Sequence, residues 1–251
     1  MTLSAVLITR NEAHRIERCI ASIKWADEII VVDSGSTDGT ADLCRSLGAQ
    51  VVSTHDWPGF GPQKNRALSR ARCDWVLSID ADEWLSPGLA EEIRAAMARD
   101  APAVAYRMPR RSRCLGQVMR HGGFWPDYVV RLFRRTHGRF SDDLIHERVV
   151  VDGPIATLTC PLEHEAFIDL EQVLEKVNRY STLGAGVLAG RGSKATLTQA
   201  IAHGLWAFIR CYVVRAGFLD GRAGFLLAVS NAEGTYYRYA KRALAGRRPW
   251  T

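Results

Sequence analysis

Short apolar runs alternate with longer stretches of helical period over the first part of the chain. The runs rich in Val and Ile predict strands at residues 3–9, 28–32, 50–53, 75–79 and 104–108. A helix between the first two strands would turn Ile16, Cys19, Ile20 and Ile23 inward. Further helices are predicted at residues 38–47, 62–72 and 87–97, the last capped by Ser86 with Pro87 at its first position. This alternation predicts an α/β fold with a mostly parallel sheet covered on both faces.

Polar and acidic residues fill the loops that follow three of these strands, at residues 9–12, 33–38 and 80–83. In parallel sheets, ligands bind beyond the carboxyl ends of the strands. We therefore expect the three loops to converge on one site.

Two carboxylates, Asp80 and Asp82, follow the apolar run at 75–79. Oxygen ligands suit Mg²⁺ or Mn²⁺, which use one or two protein carboxylates and fill the other positions with phosphate oxygens and water. The pair predicts a divalent cation site. The alternative is that the acids only cap the next helix.

Composition favours a large core and anionic partners. The chain has 251 residues, 47% of them hydrophobic, and a formal net charge of +6, which favours nucleotides, phosphorylated glycolipids, membrane surfaces or nucleic acid. The six cysteines are scattered without a CxxC pair, so we expect reduced, buried thiols in the cytoplasm. The apolar segment at residues 3–8 is short and runs into Arg10, so it is interpreted as a first strand and not a signal peptide.

Arginines and aromatic residues are interleaved from about residue 107 to 150. RNA binding would use both types, but the cluster Phe124-Trp125-Pro126-Asp127-Tyr128 is more typical of sugar stacking and loop packing. We expect no nucleic-acid partner.

The last third, residues 166–251, is predicted to be helical. Its apolar runs are interrupted by charges, and none approaches the roughly 20 apolar residues of a membrane-spanning helix. Aromatic residues beside arginines are typical of an interfacial segment on an anionic membrane. A helix pair that packs on the main domain or on a second copy of the chain is the alternative.

An ordered set of motifs resembles glycosyltransferase family 2. The motifs are Thr9-Arg10-Asn11-Glu12, Val31-Val32-Asp33-Ser34-Gly35-Ser36-Thr37-Asp38-Gly39-Thr40, Gln63-Lys64-Asn65-Arg66-Ala67 and Asp80-Ala81-Asp82-Glu83. Further along, the elements similar to the branch of lipopolysaccharide inner-core β-1,4-glucosyltransferases are Pro126-Asp127-Tyr128, Arg131-Leu132-Phe133-Arg134-Arg135, His146-Glu147 and the stretch at 217–225.

The resemblance implies a GT-A (nucleotide-diphospho-sugar transferase) fold, with a catalytic domain at residues 1–165 and a helical C-terminal region at 166–251. The catalytic domain would divide into a nucleotide-binding half at about 1–109 and an acceptor half at about 110–165. The implied reaction inverts the anomeric carbon, depends on Mg²⁺ or Mn²⁺, and moves glucose from UDP-glucose onto a heptose of the inner core.

The resemblance also implies the donor site. The expected donor-binding residues are Thr9, Asn11, Glu12, Asp33, Lys64 and Asp80. Asp82 would bind the cation directly, and Asp80 would act through ribose or a water. Asp38 is expected to cap the second helix. Lys64 would face the diphosphate, and its alternative is an exposed helix lysine.

An inverting reaction needs a base for the acceptor hydroxyl. Among Asp142, Asp143 and Glu147, the resemblance favours Glu147, with Asp143 second; the alternative for Glu147 is an ion pair with Arg148. His146 or His164 is a further candidate metal ligand, although a lone histidine is more often a packing residue. Residues expected to bind the acceptor are Trp125, Asp127, Arg131 and Arg134.

The expected partners are a nucleotide sugar and an anionic glycolipid, with the protein peripheral on the inner face of the cytoplasmic membrane. Two alternatives stay open: a family 2 transferase that acts on a polyprenyl phosphate or another surface glycan, and a non-catalytic polyanion-binding α/β domain. The sequence leaves the oligomeric state open.

Overall fold

The structure is a computed structural model and describes residues 1–99, 101–142 and 147–245. Two compact units are present. The first comprises residues 1–111 and 127–165, and the second comprises residues 112–126 and those from 166 onward. The segment 112–126, which the sequence analysis places in the acceptor half of the catalytic domain, thus clusters with the C-terminal helices.

Strands and helices alternate over the first hundred residues. The strands are β1 (Leu3–Thr9), β2 (Glu28–Asp33), β3 (Gln50–Ser53), β4 (Trp75–Ser78), β5 (Glu83–Leu85), β6 (Ala105–Cys114), β7 (Gln117–Val118), β8 (Asp127–Arg134), β9 (Gly138–Phe140), β10 (Val149–Val151), β11 (Ile155–Thr157) and β12 (Leu162–Phe167). The helices are α1 (Ala13–Ile23), α2 (Thr40–Ser46), α3 (Phe60–Leu68), α4 (Pro87–Ala98), α5 (Leu170–Gly190), α6 (Leu197–Ile209) and α7 (Gly221–Leu244).

The sheet of the first unit runs in the order β3-β2-β1-β4-β8-β6-β12-β5, with β11 also paired to β6. Strands β3, β2, β1 and β4 are parallel, whereas β8 is antiparallel to both β4 and β6. The α/β fold and the five predicted strands are confirmed. The second half of the sheet is mixed, because β8 inserts between β4 and β6.

Both faces of the parallel strands β1, β2 and β4 are buried, as predicted, whereas the edge strand β3 is partly exposed. Leu7 of β1 belongs to one apolar core, together with the inward face of α1, and its neighbour Val6 belongs to a second core, with Ala67 of α3. Successive residues of a strand point to opposite faces, so each face is covered by different helices. Ile16, Cys19, Ile20 and Ile23 of α1 are all buried, as predicted.

Helix ends follow local chemistry. Ser86 caps α4, accepting a hydrogen bond from Leu89 N at 3.2 Å, with Pro87 at the first position. Helix α2 begins two residues later than predicted, because Gly39 has a left-handed backbone with φ of 88°. Helix α3 begins at Phe60 and ends at Leu68, earlier at both ends than the predicted 62–72.

The second unit is helical, as predicted, with α5 and α6 each packed against α7. A π-helical turn, Arg210–Val214, and a 3₁₀ turn, Gly217–Asp220, connect α6 to α7. Asp220, which is buried, accepts hydrogen bonds from the backbone N–H groups of Arg120 and His121 at 3.1 and 2.8 Å. This carboxylate therefore ties the 112–126 segment to the start of α7.

Large apolar side chains stay exposed on the second unit. They lie on α6, on the two turns and on the first part of α7, and include Ile201, Leu205, Trp206, Val213, Val214, Phe218, Leu219 and Phe225. In the described parts of the chain, none of the helices combines the length and the apolar character needed to cross a bilayer.

Candidate active site

The loops after β1 and β2 are held together by Asp33. Its Oδ1 accepts a hydrogen bond from Thr9 Oγ1 at 3.2 Å, and its Oδ2 accepts from the backbone N–H groups of Gly35 and Ser36 at 3.1 and 3.0 Å. The Ser36 hydroxyl also donates to Oδ1. Only 2% of Asp33 is exposed. In this structure the carboxylate shapes the loop that a donor would contact.

Asn11 joins the same two loops from the other side. Its backbone has a φ of 57°, a left-handed conformation that asparagine tolerates better than most residues. Its N–H donates to Ser36 Oγ at 2.9 Å, and its Oδ1 accepts from Thr37 N at 2.8 Å. The predicted convergence of these loops is present in the structure.

Asp38 has a structural role, as predicted. Its carboxylate accepts hydrogen bonds from Thr40 N at 3.0 Å and from Ala13 N at 3.1 Å. These N–H groups are the first of α2 and α1, and helix N-termini stabilise negative charge. One side chain therefore fixes the starts of both helices beside the donor loops.

Glu12 lies where α1 begins. Its Oε2 is 3.0 Å from Arg15 Nε, and burial raises the pKa of Glu12 to about 7, against the opposing charge of Arg15. The Glu12 side chain can therefore change charge near neutral pH.

A buried charge cluster lies beneath the third loop. Asp80 Oδ1 is 2.8 Å from Lys64 Nζ, and Asp80 Oδ2 is 2.5 Å from Arg131 Nη2. The same Arg131 nitrogen lies 2.6 Å from Oε1 of Glu83, whose side chain is wholly buried. Arg110 Nη1 approaches Glu83 Oε1 to 3.4 Å.

Charge pairing outweighs burial in this cluster. Burial alone would raise the pKa of Asp80, but the charges of Arg131 and Lys64 hold it well below its usual range. Burial would lower the pKa of Lys64, and the charge of Asp80 raises it above the ordinary lysine value instead. Asp80 is therefore an anion whose two oxygens each face a cation.

Asp82 has different neighbours from Asp80. Its Oδ2 lies 3.5 Å from His164 Nε2 and 3.9 Å from Arg15 Nη1, and its side chain is 28% exposed. Carboxylate oxygens suit both Mg²⁺ and Mn²⁺, and of these two ions Mn²⁺ accepts an imidazole nitrogen more readily. Among the described residues, no cluster of three or more His, Cys, Asp and Glu side chains could hold a metal alone. The donor set fits a cation that takes most of its ligands from a bound diphosphate.

Helix α3 brings Lys64 to the predicted base. Lys64 Nζ lies 2.9 Å from Glu147 Oε1, and only 5% of Lys64 is exposed, so the alternative of an exposed helix lysine is wrong. Glu147 lies between β9 and β10, two residues before β10 begins. Asp142 lies between the same two strands and is exposed. The second candidate base, Asp143, and the candidate ligand His146 lie outside the described residues.

The same face of α3 holds the strand that leads to this loop. Asn65 accepts from Phe140 N at 2.9 Å and donates to Phe140 O at 3.0 Å. A Cβ at Gly61 would lie 1.8 Å from the Ser141 carbonyl oxygen, so only glycine permits this approach. Gly61, Lys64 and Asn65 share one helix face by their i, i+3 and i+4 spacing.

The four residues expected to bind an acceptor have different surroundings in the structure. Asp127 pairs with Arg110 at 2.6 Å, and the Arg134 guanidinium lies 4.8 Å from the centroid of the Trp75 ring. Arg131 is buried in the charge cluster. Trp125, partly exposed, belongs to the second unit.

Three functional positions were missed from the sequence. Glu83 and Arg110 complete the charge cluster, and Gln63 donates to Ser34 Oγ at 2.9 Å and to Thr54 Oγ1 at 2.7 Å beneath the donor loops. Glu83 directly follows the Asp80-Ala81-Asp82 motif, and Gln63 precedes Lys64 in a motif that the sequence analysis singled out, so their positions were available as a signal. Nothing in the sequence distinguishes Arg110 from its neighbouring arginines.

The chain matches a known protein family. A model of glycosyl transferase family 2 matches residues 4–151. A lipopolysaccharide core biosynthesis glycosyltransferase, LpsC of Rhizobium meliloti (strain 1021), is 32% identical over 97% of this chain and 95% of its own length. An uncharacterized glycosyltransferase of Rickettsia bellii (strain RML369-C) is 33% identical over 95% of this chain and 85% of its own length.

A solved structure shows the same fold. It is the crystal structure of glucosyl-3-phosphoglycerate synthase from Mycobacterium tuberculosis in complex with Mn²⁺, uridine diphosphate and glucosyl-3-phosphoglycerate. The two proteins are 22% identical, with a TM-score of 0.50 over 78% of this chain and 81% of that one.

Proposed function

The chain belongs to glycosyl transferase family 2 and is a glycosyltransferase, and we propose that it moves glucose from UDP-glucose onto a heptose of the lipopolysaccharide inner core. The observation that carries the proposal is the arrangement around Lys64, whose ammonium contacts both Asp80 of the third loop and the candidate base Glu147. This contact supports a site in which the motif that would hold the donor diphosphate lies beside a carboxylate that would serve the acceptor.

The donor would bind across the loops that Asp33 organises. Glu12 and Asn11 would contact the nucleoside, since carboxylate and amide oxygens accept hydrogen bonds from uracil N3–H or ribose hydroxyls. Asp33, with its oxygens already engaged by Thr9, Gly35 and Ser36, would act by holding the loop in shape. UDP as the nucleotide is consistent with the fold neighbour that was crystallised with uridine diphosphate.

Asp82 and His164 would hold a divalent cation, and Asp80 would support the site without direct contact to the cation. When bound, the cation would offset the charge that develops on the departing nucleoside diphosphate. Because Lys64 and Arg131 engage both oxygens of Asp80, we assign direct contact to Asp82. Asp80 then fixes the loop through these two ion pairs.

Glu147 would take the proton of the attacking hydroxyl. An inverting displacement needs a single base, placed on the side of the sugar opposite the leaving group. The ion pair with Lys64 holds Glu147, and the two hydrogen bonds between Asn65 and Phe140 hold the last residue of β9. Lys64 is therefore a positioning residue for Glu147.

An anionic glycolipid acceptor on the inner face of the cytoplasmic membrane completes the proposal. It is supported by the similarity to LpsC and by the net charge of +6. It is also supported by the exposed apolar residues of α6 and the turn after it, which neighbour Arg210 and Arg215 in sequence. Apolar side chains beside cations are the composition of interfacial segments on anionic lipid.

Turnover of a panel of UDP- and GDP-sugars on a heptose-containing lipid acceptor, with and without chelator, tests the proposal. We expect UDP-glucose to be used, chelator to abolish transfer, and Glu147→Gln to lower kcat by about 10²-fold or more with UDP binding retained. Asp82→Asn should lose the cation-dependent part of UDP binding. Matched surface controls are Asp42→Asn and Glu171→Gln, on the first turns of α2 and α5.

Three outcomes would contradict it. Unchanged turnover in Asp82→Asn would remove the metal assignment. Use of GDP-mannose instead of UDP-glucose would overturn the donor, and transfer to a polyprenyl phosphate but not to the heptose lipid would overturn the acceptor.

A further inference from the structure

A cavity of about 400 Å³ lies within the second unit. Its walls come from α5 and α7, from the glycines at 122–123 and from the turn at 210–215. Ligand pockets in proteins span roughly 300–1,000 Å³, so this cavity is large enough for a small ligand or for one end of a longer molecule. Every residue that lines it belongs to the helical unit, and none belongs to the candidate active site.

The apolar part of the wall is formed by core residues. Phe167, Val173 and Leu227 line the cavity, and Val173 and Leu227 also belong to the small apolar core of this unit. When an alkyl or acyl chain is buried against such a surface, each buried methylene raises the affinity by about a factor of four.

The polar part of the wall is cationic. Lys176, Arg210, Arg215 and Arg238 all line the cavity, and none of the lining residues in the described chain is acidic. Four like charges around one opening repel one another, and a bound anion relieves that repulsion. Guanidinium groups also match the geometry of phosphate and carboxylate oxygens.

Two of these arginines lie against glycine backbone. A Cβ at Gly123 would be 2.3 Å from Arg215 Nη1, and a Cβ at Gly184 would be 2.7 Å from Arg238 Nε. Gly123 also has a φ of 95°, which disfavours any other residue. Because glycine has no side chain, the side chains of Arg215 and Arg238 can lie directly against the backbone at Gly123 and Gly184.

We propose that this cavity binds an anionic amphiphile, a molecule in which a phosphate group is joined to an alkyl or acyl chain. The cations would bind the phosphate and the apolar wall would cover the start of the chain. A free phosphate would leave the apolar wall uncovered, and a neutral amphiphile would form no ion pair with the cations of the wall. The site does not depend on sugar transfer, so it stands or falls separately from the proposed function.

Calorimetric titration of the full chain with alkyl phosphates, kept below their micelle concentrations, tests the proposal. Octyl phosphate represents a lipid phosphate, inorganic phosphate represents the free anion, and octyl glucoside is the neutral amphiphile. We expect octyl phosphate to bind at least tenfold more tightly than either of the others. Affinity should rise from butyl to hexyl to octyl phosphate for as long as added methylenes enter the cavity.

Two variants, each with a matched control, locate the site. A Cβ at Gly234 meets no atom within 4 Å, so Gly234→Leu fills the cavity without a backbone clash and should lower octyl phosphate affinity at least tenfold. Gly186→Leu, equally unobstructed on α5 and outside the cavity, should bind normally. Arg210→Gln should weaken octyl phosphate selectively, whereas Arg222→Gln, on α7 and outside the lining, should not.

Three results would overturn the inference. Inorganic phosphate that binds as tightly as octyl phosphate would indicate a bare anion site. Octyl glucoside that binds as tightly would indicate a general apolar surface. Unchanged octyl phosphate binding by a folded Gly234→Leu variant, with folding checked by circular dichroism, would place any binding elsewhere on the chain.

Discussion

Replacing Arg131 by methionine tests whether the charge cluster beneath the third loop is a buried electrostatic unit. Arg131 is 7% exposed, and one of its nitrogens serves both Asp80, at 2.5 Å, and Glu83, at 2.6 Å. Methionine keeps much of the apolar stem and removes the charge. The variant therefore leaves two carboxylates without their shared cation.

The expected loss of unfolding free energy follows from the partners that remain. Removing one member of a buried ion pair costs about 3–5 kcal/mol. In the variant, Asp80 still has its ion pair with Lys64 at 2.8 Å, which reduces the destabilisation. Among the described ion pairs, the wholly buried Glu83 retains only the one with Arg110, at 3.4 Å. We therefore expect a loss near the lower end, about 3 kcal/mol, out of a total of about 5–15 kcal/mol for a typical protein.

The pH dependence of that loss has a defined sign. In the native protein the pKa of Asp80 lies well below its unfolded value of about 3.9, so Asp80 contributes stability that is fully present above about pH 4 and declines as the pH falls further. Without Arg131 the pKa of Asp80 returns towards normal. The difference between the native protein and the variant should therefore be largest at neutral pH and shrink below pH 4.

Urea unfolding, followed by tryptophan fluorescence and by circular dichroism, measures both quantities. Arg107→Met is the matched control, because Arg107 is an exposed strand arginine whose Nε donates to Thr157, and it should cost less than about 1 kcal/mol. If Arg131→Met lowered the free energy of unfolding no more than Arg107→Met does, the charge cluster would be exposed to water and not a buried electrostatic unit. A loss independent of pH would assign the effect to packing and refute the electrostatic argument.

Three further predictions concern single side chains. UDP binding without divalent cation should weaken as the pH falls from 8 to 6, because Glu12, with a pKa of about 7, gains a proton and accepts hydrogen bonds less well. Calorimetry of Glu12→Gln should lose this part of the pH dependence and keep only the part caused by protonation of the terminal UDP phosphate. Asp220→Asn should lower the free energy of unfolding by about 2–3 kcal/mol, because the neutral amide accepts the backbone hydrogen bonds of Arg120 and His121 less well than the buried carboxylate does. The amides of the 112–126 segment should then exchange their hydrogens faster. Gly224→Ala should lower Tm strongly, since its Cβ would lie 1.9 Å from Gly217 O, whereas Gly186→Ala, with no atom within 4 Å, should raise Tm slightly.

The strands β1 to β4 and the helix α1 could be predicted from sequence because each shows an apolar run or a period of its own. β1 to β4 are apolar runs, and α1 shows its buried face in the spacing of four residues. The short strands β5, β7 and β9 to β11 were missed, since two or three residues show no period and owe their conformation to a partner strand. The longer strands β8 and β12 were missed as well, since charged residues interrupt their apolar positions. β5, for example, exists through its pairing with β12.

The convergence of the site loops was also predictable, because it follows from parallel strands ending at one edge. The pairing of individual charges was not. Arg131, which stands in a basic, aromatic run, was expected to bind the acceptor. The sequence does not show that β8 inserts between β4 and β6, and a residue in the middle of a covered sheet is buried whatever its charge. A buried arginine then needs carboxylates, and they come from Asp80, which follows β4, and from Glu83, the first residue of β5.

This pairing has a consequence for how the site residues act together. Because one ammonium, that of Lys64, contacts both Asp80 and Glu147, a substitution at any of the three changes the electrostatic environment of the other two. Groups that share a partner in a poorly solvated cluster do not contribute additively. The losses caused by single substitutions at Asp80 and Glu147 should therefore overlap when combined, whereas Asp82, whose described partners are Arg15 and His164, should combine with Glu147 closer to additively.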